Sequence, residues 1–376
     1  MESDYKFLAL EALRAEARRA IDSDSWPDVK QHAIAFQQLS MNTSNLPFID
    51  FQRATISRPA SSELANVDLH LNTNLSSKDG QTFCPDWRAD PDRLDHYRRR
   101  VFAHNGTDAL ICAPSHVVAS NIEVVDLTHV WSRNWFHFLV ETVSFFATPE
   151  VRDSNLKILM NRTNLSGSFI QTLQTLAPEC LDRIIPAGDW GKVECKTLIQ
   201  PDGIWVPSYD HKQAPKGYYA GCGFTNYDAA RALYKRAWPN RRPLKTKIVI
   251  ERPEASVARC ENQTALIELF RERGYRVVSP EEMSFSEQAT VFYDADVIVG
   301  ISGAAFANLV FCRPGTRVIC ARSVESGSGT YSQISKAFDL DFSDYDAEVT
   351  SRSPIRDYAR FIVDPEEMHS MSLQSG

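Results

Sequence analysis

Val297-Ile298-Val299-Gly300-Ile301-Ser302-Gly303-Ala304-Ala305-Phe306-Ala307-Asn308 decides the fold. Three β-branched residues make a short buried strand, 300–303 makes a tight turn, and the small and apolar residues from Ala304 onward begin a helix. Strand, glycine turn and helix in that order form the repeating unit of a parallel α/β sheet. The flanking sequence repeats it. Lys247-Ile248-Val249-Ile250 is a buried strand, a helix over 262–273 stops at Gly274, and Tyr275-Arg276-Val277-Val278 is the next strand. Ser284-Phe285-Ser286-Glu287 has the spacing of a capping box, in which the serine hydroxyl and the glutamate carboxylate satisfy each other's backbone N–H groups, and it opens a helix to Asp294. Thr316-Arg317-Val318-Ile319-Cys320 closes the series, a Rossmann-like half.

Upstream, short apolar runs at 109–112, 122–125 and 156–160 alternate with helical patterns, including 168–176, and imply a second α/β layer. Further strands are expected within 193–206, then a helix over 225–237 ending at Trp238-Pro239. Pro239-Asn240-Arg241-Arg242-Pro243 interrupts all periodicity and reads as a linker, the hinge between two domains. Residues 5–20 read as an amphipathic helix and 40–95 as an irregular, Ser/Asn/Asp/Pro-rich extension. The expected organisation is 1–100 an N-terminal helix and irregular extension, 101–240 one α/β domain, 241–340 a second, and 341–376 a tail. In and before that tail Asp339, Asp341, Asp344 and Asp346, interleaved with aromatics, read as a solvated acidic face in preference to a tail packed back on the first domain.

The 376 residues suffice for two domains, and 43% hydrophobic with 24% charged residues excludes collagen-like, disordered and small disulfide-stapled chains. With 41 Lys+Arg against 48 Asp+Glu the formal charge is −7, which disfavours nucleic acid as a partner. The eight cysteines show no C-x-x-C spacing, and Cys112, Cys260, Cys312 and Cys320 sit in or beside apolar runs, as buried reduced thiols do. No apolar run approaches the ~20 residues that span a bilayer, and no basic and apolar leader opens the sequence. The expectation is a bacterial-type cytoplasmic protein, peripheral at the inner membrane face if membrane-associated, or a lumenal fragment if eukaryotic.

Three groups of residues could carry chemistry. Residues 134–146 are too apolar for a surface helix, yet Asn134, His137, Glu141 and Ser144 fall at i, i+3, i+7 and i+10, one face of a 3.6-residue period. Such a stripe is either a hydrogen-bonded core stripe or the lining of a cleft, and a buried glutamate in it carries the perturbed pKa that a general base requires. The turn with Gly300, Ser302, Gly303, Ala304 and Asn308 is either a close-packed strand–helix junction or a phosphate cradle at a helix N-terminus. Arg252 and Arg259, followed by Asn262, stand past the carboxyl end of a parallel strand, where such sheets bind ligands, although a surface salt bridge explains either one singly. An NAD-dependent oxidoreductase is disfavoured: no G-x-G-x-x-G follows a strand, and the acidic ribose partner is missing.

Together these residues resemble glycosyltransferase family 61. The resemblance rests on Asn-x-aromatic-His-x-x-x-acidic (Asn134, Phe136, His137, Glu141), Arg-x6-Arg-x2-Asn (Arg252, Arg259, Asn262), Ser-Phe-x-Glu-Gln (Ser284, Phe285, Glu287, Gln288) and the glycine-containing run Val299 to Thr316, in that order. It implies an inverting enzyme of the GT-B type, two Rossmann-like domains facing across a cleft, that moves a sugar from a nucleotide sugar, expected to be UDP-linked, to a glycan or polysaccharide hydroxyl without a resident cofactor. Glu141 is then the favoured base, with His137 and Asn134 beside it, and Arg252, Arg259, Asn262, Ser284, Gln288, Gly300, Ser302, Gly303, Ala304 and Asn308 the donor side. The family commonly has histidine where this chain has Ser302, so a transferase fold that binds but does not turn over is the competing reading. Sugar and acceptor choice are expected to reside in loops 40–100 and 205–225. Asp294-Ala295-Asp296 matches the Asp-x-Asp of metal-dependent transferases but precedes its strand, about 13–17 Å from the strand's carboxyl end, so no metal is expected there and capping or solvated-turn roles are expected instead.

Overall fold

The computed structural model describes residues 49–57, 60–61, 63–71, 75–84, 101–114, 116–128, 133–188, 191–201, 227–252, 260–323, 329–352 and 359–374, with 16–17, 19–21, 25–26 and 31. The chain divides into two compact units: Met1–Val130 with Ser154–Arg162 and Arg183–Asp202, and Trp131–Asp153 with Thr163–Asp182 and Gly203–Gly376.

Among the described residues the first unit holds a ten-stranded mixed sheet. Its strands are β1 (Ile49–Ser57), β2 (Glu63–His70), β3 (Leu75–Lys78), β4 (Gln81–Phe83), β5 (Val101–His104), β6 (Asp108–Pro114), β7 (Val117–Asp126), β8 (Lys157–Asn161), β9 (Ile184–Ala187) and β10 (Lys192–Ile199). They lie in the order β5-β6-β1-β4-β3-β2-β10-β7-β8-β9. Only β10-β7-β8-β9 forms the parallel run that the alternating pattern predicts. The expected irregular extension is corrected: β1 to β4 lie within 40–95, where one-sided alternation buries Ala54 and Ile56, and then Val67 and Leu69, beneath polar neighbours. The expected helix over 5–20 falls mostly outside the described residues, but Ala17, Ala20 and Ile21 are buried with Ala103 and Leu110.

The second unit carries the predicted Rossmann-like sheet. Strands β11 (Thr246–Ile250), β12 (Arg276–Val278), β13 (Ala295–Ile301), β14 (Arg317–Ser323), β15 (Asp341–Arg352) and β16 (Ala359–Ile362) lie in the order β12-β11-β13-β14-β15-β16. The first five are parallel and read 2-1-3-4-5 in chain order, which places a topological switch point between β11 and β13. Helices α1 (Gly167–Leu176), α2 (Tyr227–Lys235), α3 (Gln263–Glu272), α4 (Phe285–Asp294), α5 (Gly329–Ala337) and α6 (Pro365–Leu373) belong to this unit, and the capping box at Ser284 is present. The core gathers Val249, Val299, Ile301, Ile319, Leu266, Phe270 and Met368, each full burial contributing about 1.5–3 kcal/mol.

The division differs from the expected boundary at 240/241, because residues 133–153 and α1 pack with α2, α4 and residues 304–311. Tyr234 Oη donates to the Leu139 carbonyl, Ser168 Oγ to that of Met283 (3.4 Å), and Phe285 N to Gln171 Oε1 (3.2 Å). The expected hinge is a clamp: Arg241 holds Asp294 through two bonds of 2.8 and 2.6 Å, Leu244 N donates to the same carboxylate, and Tyr293 Oη donates to the Arg241 carbonyl. The tail is likewise part of the sheet rather than a solvated acidic face. Asp341 pairs with Arg317 (2.6 Å), and Asp344 and Asp346 with Arg322 (3.1 and 2.8 Å). Cys260, Cys312 and Cys320 are buried free thiols, as expected, and burial pushes all three upward in pKa. No helix among the described residues is long and apolar enough to cross a membrane.

Candidate active site

The apolar segment after residue 133 is a buried helix, but not a regular one. A short α-helical start at Trp135 and Phe136 widens into a π-helix over His137–Thr142 and tightens into a 3-10 helix over Val143–Ala147. π segments are rare and concentrate at functional sites. The change of pitch breaks the expected four-residue stripe. Asn134 Oδ1 accepts from Phe136 N (2.9 Å) at the helix start, and Ser144 Oγ donates to the Glu141 carbonyl (3.4 Å). His137 and Glu141 remain together: Nδ1 lies 2.8 Å from Oε2, with the glutamate side chain 1% exposed and the imidazole 12%.

A buried polar network locks the start of this helix. Trp135 Nε1 donates to Asn308 Oδ1 (3.1 Å), Asn308 Nδ2 to Gln288 Oε1 (3.0 Å), and Gln288 Nε2 to the Met283 carbonyl (3.1 Å). Asn308 and Gln288, expected on the donor side, thus bind protein groups, and both are buried. Ser284 is the N-cap of α4, its hydroxyl on Glu287 Oε2 (2.6 Å). Asn262 holds the C-terminal region, donating from Nδ2 to the Val363 carbonyl (2.8 Å) and accepting from Val363 N (3.1 Å).

At the switch point the carboxyl ends of β11 and β13 bring Arg252 to the glycine turn. Gly300 lies opposite Ile250 in register, and a Cβ there would stand 2.9 Å from Ile250 Cβ and 3.3 Å from Phe306, so its missing side chain makes room for the core. Gly303 differs: a Cβ on it would stand 3.1 Å from Arg252 Cζ, so the guanidinium lies directly over the glycine. Arg252 Nη1 donates to the Ser302 carbonyl (2.9 Å), and Gln263 Nε2 donates to the Arg252 carbonyl (2.9 Å), fixing the root of the side chain. Ala304 begins the 3-10 helix Ala304–Phe311, whose first N–H groups have no partner within it. Arg259 lies outside the described residues.

Sequence reasoning missed the residue that joins the two groups. Tyr331, in α5, donates from Oη to the Gly303 carbonyl (2.8 Å), and its ring stands edge-on to Phe136 at 5.9 Å, while Phe136 packs edge-on to His137 at 5.4 Å. No short motif contains it. The dyad, the glycine turn and Arg252 therefore form one neighbourhood within the second unit. Asp294 and Asp296 do not belong to it: the first is buried against Arg241 and the second pairs with Arg313, ion pairs rather than the expected solvated turn. No cluster of three or more metal-ligating side chains occurs among the described residues.

The family model described as Glycosyltransferase 61 matches residues 135–319, a span that runs from the start of the buried helix through the dyad, Arg252, the capping box and the glycine turn to β14. No match was found among curated proteins.

Proposed function

The chain belongs to glycosyltransferase family 61, and from that premise we propose that it is an inverting enzyme of the GT-B type, moving a sugar from a nucleotide sugar, UDP-linked, to a glycan hydroxyl by single displacement. The observation that carries the mechanism is the 2.8 Å contact between His137 Nδ1 and Glu141 Oε2. Glu141 is too deeply enclosed to meet an acceptor itself, so the roles expected from sequence exchange. His137 is the base and Glu141 orients it, as a buried carboxylate orients a catalytic imidazole. With the Nδ1 proton directed at the carboxylate, Nε2 carries the lone pair and takes the proton from the acceptor hydroxyl. The acceptor oxygen attacks the anomeric carbon opposite the departing diphosphate, and the anomeric configuration inverts. Charge on the leaving group is met by Arg252 and by the N–H groups of Gly303 and Ala304, groups already fixed before reaction. The ion pairs that occupy Asp294 and Asp296 support a reaction without a divalent metal at that pair. The test incubates purified protein with UDP-, GDP- and dTDP-sugars, alone and with oligosaccharide acceptors, following nucleotide release and the product's anomeric configuration by NMR. Inversion with a UDP-sugar is expected; retention overturns the mechanism, and binding without release from any donor leaves the non-catalytic reading.

A further inference from the structure

We infer that Tyr331 is a positioning residue of the donor site, aiming the Ala304 N–H through the Gly303 carbonyl. The inference rests on the donor reading above and concerns a residue beyond the matched span 135–319. A trans peptide is planar, with its C=O and N–H pointing in opposite directions, so whatever holds the carbonyl also sets the direction of the N–H. Two successive peptides of the turn are held in this way. Arg252 Nη1 grips the Ser302 carbonyl at 2.9 Å and so sets Gly303 N–H. Tyr331 Oη grips the Gly303 carbonyl at 2.8 Å and so sets Ala304 N–H. Phe306 N donates to that same Gly303 carbonyl (3.0 Å), which fills its two lone pairs and leaves the peptide little freedom to rotate.

The ring of Tyr331 has a separate part. It stands against Phe306 at 5.3 Å and edge-on to Phe136 at 5.9 Å, so one side chain braces both the turn helix and the residue next to His137. Hydroxyl and ring can be removed one at a time. Tyr331→Phe keeps both ring contacts and deletes the grip on Gly303; Tyr331→Leu deletes both.

The experiment measures calorimetric affinity for UDP, GDP, ADP and dTDP, melting temperature, and donor and acceptor KM, in wild type, Arg252→Ala, Tyr331→Phe and Tyr331→Leu. The expected result is that Tyr331→Phe weakens binding of the preferred nucleoside diphosphate about two- to tenfold, the usual worth of one hydrogen bond, and raises donor KM alike, with acceptor KM and melting temperature unchanged. Tyr331→Leu adds a fall in kcat through Phe136 and His137. Wild-type affinity in Tyr331→Phe, with Arg252→Ala weakened, overturns the assignment of Tyr331 alone. A lower melting temperature with unchanged affinity overturns it too, in favour of a purely structural tyrosine. A wild-type chain that binds no nucleoside diphosphate overturns the donor site and this inference together.

Discussion

Replacing Glu141 by glutamine separates a catalytic dyad from an ordinary buried hydrogen bond. The two side chains have nearly the same volume, so the buried site keeps its packing, and a carboxamide oxygen still accepts from His137 Nδ1. The helix is anchored elsewhere, by Tyr234 on the Leu139 carbonyl and Trp135 on Asn308. The variant is therefore expected to fold. On the proposed mechanism, what it loses is the negative charge that stabilises the imidazolium formed as His137 takes the acceptor proton. If the 2.8 Å contact were only structural, its weakening would change turnover by at most the worth of one hydrogen bond, about two- to tenfold. General-base catalysis contributes about 10²–10⁴-fold, or roughly 3–5.5 kcal/mol of barrier at 1.36 kcal/mol per tenfold. Single-turnover transfer, with folding checked by circular dichroism, is expected to fall by about 10²–10⁴ in Glu141→Gln and at least as far in His137→Ala. The two ranges do not overlap. A loss below about tenfold in both variants refutes the dyad as the proton-transfer machinery.

Arg252→Ala is expected to weaken UDP binding about 10–150-fold, the worth of a charge-assisted hydrogen bond on a diphosphate, and unchanged affinity by calorimetry would place the diphosphate elsewhere. Transfer activity is expected to persist in excess EDTA and in Asp294→Asn; loss in both, restored by Mn²⁺ in the first, would reverse the metal-free mechanism. A third expectation concerns the first unit, where burial lifts the Asp126 carboxyl from 3.8 to about 6 against opposing hydrogen bonds from Thr128 and Gln200. A raised carboxyl means that the folded state holds the proton more tightly than the unfolded one, so this stability is fully present below 3.8 and is lost as pH climbs through about 6. Urea unfolding of wild type against Asp126→Asn is expected to favour the variant by on the order of 3 kcal/mol more at neutral pH than near pH 4, and parallel curves would contradict it.

The second unit was legible because a parallel sheet covered on both faces writes continuous apolar runs into the sequence. Lys247-Ile248-Val249-Ile250 and Val297-Ile298-Val299 became β11 and β13, and the capping box at Ser284 formed as read. Strands with one wet face were not legible in the same way. In β2, Glu63–His70, the buried positions Val67 and Leu69 are separated by the polar Asp68, so composition alone looks like loop. β15 hid for a related reason. Its acidic residues are spaced for pairing with Arg317 and Arg322 on the neighbouring strand, and that pairing depends on topology no linear pattern contains. Pro239 and Pro243 stop helices and strands equally well in a hinge and in a clamped connection; only the Arg241–Asp294 pair tells the two apart.

The candidate site divides along the same line. Residue types suited to its chemistry were visible, because a polar face on an apolar helix and arginines past a strand end are unusual in sequence. Which atoms face which was not. A stripe counted at 3.6 residues per turn assumes one pitch, and the change from π to 3-10 geometry at Thr142–Val143 leaves His137 with Glu141 while turning Ser144 to the backbone. Asn308 and Gln288 read as donor ligands because polar residues near a glycine turn suggest phosphate, yet here they bind each other and Trp135. Their partners are protein groups, Trp135 at the start of the buried helix among them. By fixing Trp135 they fix the start of the helix that carries His137, so a short motif spanning a strand–turn–helix records packing support as faithfully as it records contacts to a ligand.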